Sequence, residues 1–359
     1  MELQNKPREE KKIKMALQCP MPKFDFEVIT LGHGSGGILT HQLLNTGVFS
    51  LLSNPLLNEK HDGAVFEANG KLAFSTDSYV VSPLFFPGGN IGELAINGTV
   101  NDLAMCGARA KYLSLSFIIE EGLPMTQFWQ ILDTIKQAAD AAGVHIVTGD
   151  TKVVEKGKGD DIFINTSGIG ELHPKAAIHA GRIQRGDAII VSGPIASHGV
   201  AIMSVRQGLE FESDIQSDTA PLHHTVMALL DEFGTNIHFL RDPTRGGVAT
   251  VLNEMAQDSR LGIQIYQQQL PVLDAVNSAC EILGLDPLYV ANEGIFLAIV
   301  DAAVAEAFTQ RLKTLSFGEA AARIGEVTEL HPKQVLLKSS IGGNRVVSML
   351  PGEQLPRIC

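Results

Sequence analysis

Apolar residues along the first half of the chain follow strand-like and helix-like spacings in alternation. Short runs rich in β-branched and aromatic residues predict strands, and longer runs with apolar residues three and four positions apart predict helices. In residues 125–143, for example, Ile131, Ile135 and Ala139 share one helical face, and Gly143 follows as a C-cap. The predicted strands are residues 25–31, 71–79, 111–119, 144–150 and 161–172, and the predicted helices are residues 90–108 and 125–143.

The same patterns recur in the second half, where a new unit begins near residue 185. A strand there meets a Gly/Pro turn and a helix start at residues 185–199. Val248, Val251 and Met255 form a helical stripe directly after the segment "RDPTRGG". Further strands are predicted within residues 291–300, 322–329, 334–338 and 344–350.

These elements predict an α/β (α+β) protein of two similar-sized domains. A chain of 359 residues exceeds what one hydrophobic core normally serves. We place the first domain at residues 25–175 and the second at residues 176–350. Residues 1–24 are predicted to form a mobile tail, and the proline-containing residues 351–359 a flexible tail that reaches over the surface.

Charge and composition indicate which partners are disfavoured and which cellular compartment is expected. A net charge of -12 disfavours nucleic acid as the main partner. No apolar run reaches the length of a membrane span, and the first residues do not resemble a secretory signal. Four scattered cysteines without a CxxC pair are typical of a reducing compartment, so we expect a cytoplasmic protein without disulfides. Cys106 and Cys280 lie in apolar helix-like runs and are predicted to be core residues.

A glycine-rich segment, "GHGSGG" at residues 32–37, follows a strand-like run and precedes a helix-like one. It formally matches G-x-G-x-x-G, but the loop-like residues 51–63 occupy the place where a dinucleotide fold needs its next strand and acidic residue. The exposed backbone N–H groups of such a turn still suit phosphate, with a plain flexible loop as the alternative. The candidate phosphate-binding residues are Gly34, Ser35, Gly36 and Gly37.

Four aspartates stand at strand–loop junctions or helix starts, each beside glycine, threonine or asparagine. Any one of them suits a cap or a turn. Together with the glycine-rich segment and Lys152 they suit ATP with Mg²⁺, because Mg²⁺ prefers a few carboxylates plus phosphate oxygens. The eleven histidines show no zinc-type spacing. The four candidate metal ligands are Asp77, Asp102, Asp150 and Asp242.

Several of these segments together resemble one known family. "GHGSGG", "EEGLP", "IVTGDTKVVEKG", "LRDPTRGGVATVLNE", "ANEG" and the final "LPRIC" resemble the HypE family of hydrogenase maturation factors. This family lies within the PurM-like superfamily of aminoimidazole ribonucleotide synthetase and selenophosphate synthetase. The resemblance covers residues 28–359 and leaves the first two dozen residues without a function.

The resemblance implies a two-domain PurM-like fold and a reaction at the last residue. The N-terminal domain would dimerise through its sheet, and ATP with Mg²⁺ would bind in the cleft between the domains, near the dimer interface. The cysteine at the end of the chain, Cys359, would receive a carbamoyl group from the carbamoyltransferase HypF. ATP would then drive dehydration of the S-carboxamide to an S-cyanide (thiocyanate). A HypC–HypD complex would accept the cyanide ligand for the iron of [NiFe]-hydrogenase.

That chemistry implies roles for particular residues. A base must remove protons from the amide nitrogen, and Glu293 and Lys152 are the candidates, with Glu293 as base and Lys152 as phosphate partner or the reverse. Arg357 either seats the tail at a phosphate or is a solvated charge. The remaining residues implied to bind ATP are Gly34, Ser35, Gly36, Gly37, Asp77, Ser78, Asn101, Asp102, Gly149, Asp150 and Asp242.

Two rival interpretations remain open at the level of sequence. One keeps the fold and changes the reaction to that of a selenophosphate synthetase-like or other small-metabolite enzyme, for which Cys19 lies loosely in the expected region. The other is a scaffold without catalysis whose tail docks a maturation partner. Four intact aspartates argue against the scaffold, because a scaffold needs none of them.

Overall fold

The described part of the chain folds into a four-stranded and a seven-stranded sheet, each with its own helices, and a small two-stranded sheet. A computed structural model describes residues 18–60, 63–68, 70–209, 215–349, 355 and 357–359. The strands are β1 (Leu72–Tyr79), β2 (Phe85–Phe86), β3 (Gly89–Asn90), β4 (Ala108–Glu120), β5 (His145–Val154), β6 (Ile162–Leu172), β7 (Ala188–Val191), β8 (Ile237–Arg241), β9 (Gly262–Tyr266), β10 (Leu297–Val300), β11 (Ala322–Thr328), β12 (Val335–Lys338) and β13 (Asn344–Val347). The α-helices are α1 (Ile38–Gln42), α2 (Phe49–Leu51), α3 (Ile91–Met105), α4 (Met125–Ala142), α5 (Ser197–Gln207), α6 (His223–Phe233), α7 (Gly247–Ser259), α8 (Asp274–Leu283) and α9 (Ala305–Leu312). None of these helices is long and apolar enough to cross a membrane.

The first sheet has the strand order β1-β6-β4-β5. β6 pairs antiparallel with both β1 and β4, whereas β4 and β5 run parallel because α4 carries the chain back between them. The predicted helix at residues 125–143 is confirmed as α4, and Gly143 ends it in the left-handed conformation with φ 64°. α3 and α4 pack together on one face of this sheet, and β1 supplies the buried Tyr79 to the same core.

The second sheet has seven strands in the order β13-β12-β9-β11-β7-β10-β8. Its central strands β7 and β10 are buried along their whole length, which is why they consist of Ala, Ile, Leu and Val alone. The predicted stripe of Val248, Val251 and Met255 is confirmed as the buried face of α7. The mixed α/β fold with one sheet in each half agrees with the predicted fold class.

Two local predictions are wrong. Residues 25–31 form only an isolated bridge, between Val28 and Pro124, because the chain there crosses the start of α4 instead of entering the sheet. Cys106 is exposed, since it is the C-cap of α3 and lies beyond the helix's buried face, whereas Cys280 is buried as predicted. All four cysteines are free.

The described ends of the chain are packed against the protein, unlike the mobile tails predicted for them. Asp133 accepts hydrogen bonds from the backbone N–H groups of Gln18 and Cys19, at 2.9 and 3.1 Å. At the other end, Leu355 and Ile358 are 8% and 3% exposed. Residues 1–17, 351–354 and 356, which the sequence assigns to the same tails, lie outside the described residues. The apolar residues near both ends therefore find partners on the domains themselves.

Candidate functional site

Three of the four predicted aspartates come together where α3 meets β1 and the turn after β8. Asp77 is on β1, Asp102 on α3 and Asp242 directly after β8. Burial raises the pKa of Asp242 to about 7, and the carboxylate of Asp102 adds to the shift. The pKa of Asp102 is raised mainly by burial, against a 2.6 Å hydrogen bond donated by Ser75. Such a concentration of acid groups resists ionisation until a cation neutralises it.

Glu293 lies beside this group on the loop between α8 and β10. Burial raises its pKa well above the ordinary value, and the carboxylates of Asp242 and Asp218 add to this effect. The neighbouring Asn292 fixes the loop, because its amide donates to the carbonyl of Pro243 at 2.9 Å and accepts from the N–H of Ala196 at 2.6 Å. One carboxyl oxygen of Glu293, Oε1, is buried without a hydrogen-bond partner among the described residues. This oxygen can therefore form a hydrogen bond with a group that the described residues do not supply.

The thiol of Cys359 lies against this carboxyl group. Burial and the interaction with Glu293 raise the pKa of the thiol, and the guanidinium of Arg245 opposes the shift. The sequence suggests an exposed, mobile thiol, whereas the structure places a half-buried neutral thiol inside the site. The physical reason is that Ile358 is buried and the backbone of the last residues is bound by the protein.

Backbone hydrogen bonds hold the last three residues in this position. The carbonyl of Cys359 accepts from Val80 N at 3.1 Å, and that of Ile358 bonds His198 Nε2 at 2.8 Å. The carbonyl of Arg357 accepts from Ser82 N at 3.3 Å and from the guanidinium of Arg206. The tail thus runs alongside the end of β1 in a slot between residues 80–82 and α5.

Arg357 has a role in this slot that differs from the predicted one. Its Nε donates to the carbonyl of Val80 at 3.0 Å, and its Nη1 pairs with the carboxylate of Asp160. Both predicted alternatives, a phosphate contact and a solvated charge, are wrong for this state of the tail. The guanidinium fastens the tail to the protein, because its donors meet a carbonyl and a carboxylate at close range.

The glycine-rich segment and the segment "GDTK" (residues 149–152) line a separate cavity of about 180 Å³. Leu115, Phe117 and Ile146 form an apolar wall, and Gly34, Gly36 and residues 149–152 form a polar one. A side chain at position 34 would collide with Val153 N, and one at position 149 with the carbonyl of Leu115. Only glycine allows these backbones to approach so closely. An apolar wall beside backbone N–H groups is what a nucleotide needs.

The polar groups of the glycine-rich segment, residues 32–37, are only partly free to bind a ligand. Gly36 N donates to Thr40 Oγ1 at 3.0 Å, and Ser35 Oγ donates to the carbonyl of Gly32 at 3.1 Å. Gly37 is the N-cap of the short helix α1. Gly36 has φ 79°, which favours glycine.

Asp150 does not join the other three aspartates within one chain, which corrects the predicted four-aspartate group. Cross-strand partners place Ser78, Asn165, Ser116 and Asp150 in one row across the sheet. Three strand spacings separate Asp150 from Ser78 by roughly 14 Å. Paired residues also point to the same face, so Asp150 lies on the face of Ser78, opposite to Asp77.

Lys152 lies on the same open face as Asp150 and pairs with it at 2.9 Å. It therefore does not form the pair with Glu293 that the sequence allows. Ser78 is exposed there, and its hydroxyl accepts a hydrogen bond from Asn165 at 2.9 Å. Lys152, Asp150 and Gly149 belong to the glycine-lined cavity, while Glu293 belongs to the acidic site.

Asn101 is also not placed to orient a phosphate. Its amide donates to the carbonyls of Ala220 at 2.9 Å and Glu293 at 3.2 Å, and its oxygen accepts from Leu222 N at 2.8 Å. The side chain is 1% exposed. Asn101 instead connects α3 of the first half to the loops of the second half that carry Glu293.

Two groups around the thiol, Arg245 and Asp218, could not be recognised from the sequence. Arg245, three residues after Asp242 in the turn before α7, lies 3.9 Å from Asp77, and its guanidinium lowers the pKa of the thiol. Asp218, whose pKa burial raises to about 6, supports the Glu293 loop. Neither has a neighbourhood in the sequence that distinguishes it from an ordinary surface residue. The one sequence feature that points to Arg245 is its place in the segment "RDPTRGG", three residues after the predicted ligand Asp242.

The donor set suits a cation that arrives with a phosphate better than a metal held by protein alone. In the described part of the chain, no three His, Cys, Asp or Glu side chains are arranged to hold a metal ion. Mg²⁺ usually takes one or two carboxylates together with phosphate oxygens and water. One or two of the clustered aspartates Asp77, Asp102 and Asp242 would fit that pattern, and the pKa values of Asp102 and Asp242 are raised.

Comparison with known proteins identifies the family. Models of the AIR synthase related protein family match here: the N-terminal domain at residues 60–172 and the C-terminal domain at residues 184–338. A carbamoyl dehydratase HypE from Cupriavidus necator is 48% identical over 92% of this chain and 95% of its own length. The Escherichia coli carbamoyl dehydratase HypE is 44% identical over 92% and 99%.

Solved structures agree with these relatives. A crystal structure of the hydrogenase maturation protein HypE in complex with ATP is 48% identical, with a TM-score of 0.89 over 92% of this chain and 99% of that one. A HypE–HypF complex matches with 43% identity and a TM-score of 0.76 over 88% and 100%. The matched length includes both domains. The chain belongs to the HypE family of carbamoyl dehydratases, within the AIR synthase related proteins.

Proposed function

We propose that this chain is an ATP-dependent carbamoyl dehydratase that converts an S-carbamoyl group on Cys359 into an S-cyanide during hydrogenase maturation. The observation that carries the proposal is the position of the Cys359 thiol against Glu293, beside three clustered aspartates. A group attached to this sulfur would enter the acidic site. The names of the most similar relatives and the ATP complex of one of them support the same reaction.

The reaction balances with ATP as the only co-substrate. The carboxamide oxygen attacks the γ-phosphorus of ATP, and ADP leaves. Two N–H protons are then lost, the C–O bond breaks with departure of phosphate, and the S–C≡N group remains. Phosphorylation is needed because it turns the oxygen into a good leaving group. Glu293 would accept a proton from the nitrogen, and its contact with the Cys359 thiol supports this role.

The other residues would bind and orient the co-substrate. One or two of Asp77, Asp102 and Asp242 would hold Mg²⁺ together with phosphate oxygens, and the ion would neutralise phosphate charge when it is bound. Arg245 is close enough to Asp77 to reach the same phosphates. Lys152 and the glycines lining the cavity would bind the nucleotide from the other side of the sheet, where a second copy of the chain would bring them to the site.

The carbamoyl donor and the cyanide acceptor would be separate proteins. One solved HypE is in complex with HypF, which supports a HypF-type donor for this chain. The acceptor would be a HypC–HypD complex that carries the iron. The seated thiol is half-buried, so the tail must leave its slot to meet either partner.

Intact mass spectrometry tests the proposal. With a HypF-type carbamoyltransferase, carbamoyl phosphate and MgATP, the parent is expected to gain about 43 Da and then to retain only about 25 Da of this gain, as the carboxamide loses water. Cys359→Ala is expected to gain nothing, whereas Cys106→Ala, which removes an exposed thiol near the acidic site, is expected to behave like the parent. ATP hydrolysis without any adduct on Cys359 would favour a small-metabolite enzyme of the same fold.

A homodimer through the first sheet is part of the proposal. The open face of that sheet carries Phe74, which is 68% exposed, and Leu72 and Ile118, each 47% exposed. An apolar patch of this kind on a sheet favours a protein partner, and a second copy would also bring the nucleotide cavity of one chain to the acidic site of the other.

Phe74→Glu is expected to shift the protein toward the monomer, because a charge would be buried at the centre of that interface. Sedimentation velocity at micromolar concentration measures the effect. Ile282→Glu is the control, since Ile282 is 67% exposed on α8, away from the sheet. A parent that sediments as a monomer contradicts the homodimer.

A further inference from the structure

One buried histidine on α5 connects the tail to the second half of the protein. His198 is 0% exposed, and its Nε2 donates to the carbonyl of Ile358 at 2.8 Å. Because a carbonyl only accepts, the other ring nitrogen, Nδ1, must accept from Ser217 Oγ, also at 2.8 Å. Burial lowers the pKa of His198 to about 4, so the ring is neutral at neutral pH and both hydrogen bonds persist.

The residue after Ser217, Asp218, binds the loop that carries Glu293. The Asp218 carboxylate accepts from the N–H groups of Glu293 and Gly294, at 3.1 and 3.2 Å. It also accepts from the backbone N–H of His198, at the start of α5. Two consecutive residues therefore connect the histidine that binds the tail to the loop that carries Glu293.

Packing leaves little freedom in this connection. The rings of Phe86 and His198 pack edge to face, with ring centroids 5.6 Å apart. Ser217 N donates to the carbonyl of Pro87 at 2.8 Å, and its hydroxyl accepts from Thr219 N at 3.1 Å. A shift of the histidine would thus disturb Ser217, and through Asp218 it would disturb Glu293.

We propose that His198, Ser217 and Asp218 form a seating network that sets the distance between the Cys359 sulfur and Glu293. They are positioning residues: none contacts the reacting carboxamide, and each acts by placing the tail or the Glu293 loop. The consequence for catalysis rests on the function proposed above. The seating itself does not depend on it.

Seating and carbamoylation place opposite demands on the tail. The seated thiol is half-buried with a raised pKa, so it is a poor nucleophile toward an external donor. Dehydration in contrast needs the sulfur beside Glu293. A weakened network should therefore favour the first step and slow the second, which a general loss of folding cannot do.

Thiol labelling of the protein without nucleotide tests the seating directly. Peptide mass mapping after timed iodoacetamide treatment is expected to show Cys359 labelled about tenfold faster in His198→Ala than in the parent, the equivalent of one lost hydrogen bond. His198→Gln keeps a donor near Nε2 and is expected to restore most of the protection. His224→Ala, which removes an exposed histidine, is the matched control. Equal labelling of Cys359 in the parent and in His198→Ala overturns the proposal.

The same variants then go through the mass assay for carbamoylation and dehydration. His198→Ala is expected to accept the carbamoyl group at least as fast as the parent and to dehydrate it about tenfold more slowly. Ser217→Ala, a smaller change in packing, provides the same comparison if His198→Ala does not fold. A parent that never gains the carbamoyl group refutes the proposed function and leaves the labelling result to decide on the seating. Equal dehydration rates in parent and variants overturn the positioning role.

Discussion

Replacement of Glu293 by glutamine is expected to slow dehydration about a thousandfold while carbamoyl transfer to Cys359 continues. Glutamine has nearly the same size and can occupy the same space beside Asn292, but it cannot accept a proton from the amide nitrogen. The carbamoylated protein should therefore accumulate, visible as a persistent gain of about 43 Da in intact mass.

The pH dependence gives this prediction a second readout. Burial and the surrounding carboxylates raise the pKa of Glu293, so this carboxyl group loses its proton only at a higher pH than an ordinary glutamate does. A base works only after it has lost its own proton, and the dehydration rate of the parent should rise with pH until Glu293 is ionised. Glu293→Gln should show no such rise. Glu329→Gln removes an exposed carboxylate paired with Arg185 and serves as the control. Dehydration by Glu293→Gln at the parent's rate would assign the base to another residue.

Asp242→Asn is expected to make the protein without ligands more stable above pH 7. Burial raises the pKa of Asp242 from 3.8 to about 7, so the folded state resists ionisation that the unfolded state accepts. The free energy of unfolding of the parent should therefore fall between about pH 4 and pH 7, by roughly 4 kcal/mol at most from this group. Asparagine does not ionise, so the variant does not lose this part of the free energy of unfolding.

Chemical denaturation at two pH values separates this effect from others. At pH 8 Asp242→Asn should exceed the parent in free energy of unfolding by a few kcal/mol, and at pH 4 the two should be nearly equal. The raised pKa values of Asp102, Asp218 and Glu293 give both proteins a common slope, so only the difference between them is informative. Asp231→Asn, at a side chain 73% exposed, is expected to show no such gain. A parent more stable than Asp242→Asn at pH 8 without ligand contradicts the raised pKa.

The local elements of the fold could be predicted because their own side chains determine them. In α4 the apolar residues recur at helical spacing and Gly143 ends the helix, so the sequence contains the helix, its buried face and its end. β7 and β10 are recognisable as buried strands from their apolar runs. Residues 25–31 have an equally strand-like pattern but form only one bridge, because strand pairing depends on the partner that tertiary packing supplies.

For the functional site, too, some features could be predicted from the sequence and others depend on tertiary packing. The sequence by itself determined the family, the chemical residue types and the acids Asp77, Asp102 and Asp242, since these stand in recognisable short segments. Only the tertiary structure decided which of them meet. The sheet register sends Asp150 and Lys152 to the opposite face from Asp77, and adjacent letters cannot show a relation that depends on strand order.

The seated tail is the clearest case of a feature that only the tertiary structure decided. "LPRIC" predicts an extended end with a reactive thiol, which a short segment with a proline and no helical pattern would suggest in any protein. Its binding partners lie more than 150 positions away and are the side chains of His198 and Arg206 and the backbone groups of Val80 and Ser82. Backbone donors carry no side-chain identity, so the slot that brings Cys359 to Glu293 has no signature in the sequence and exists only once both domains have folded.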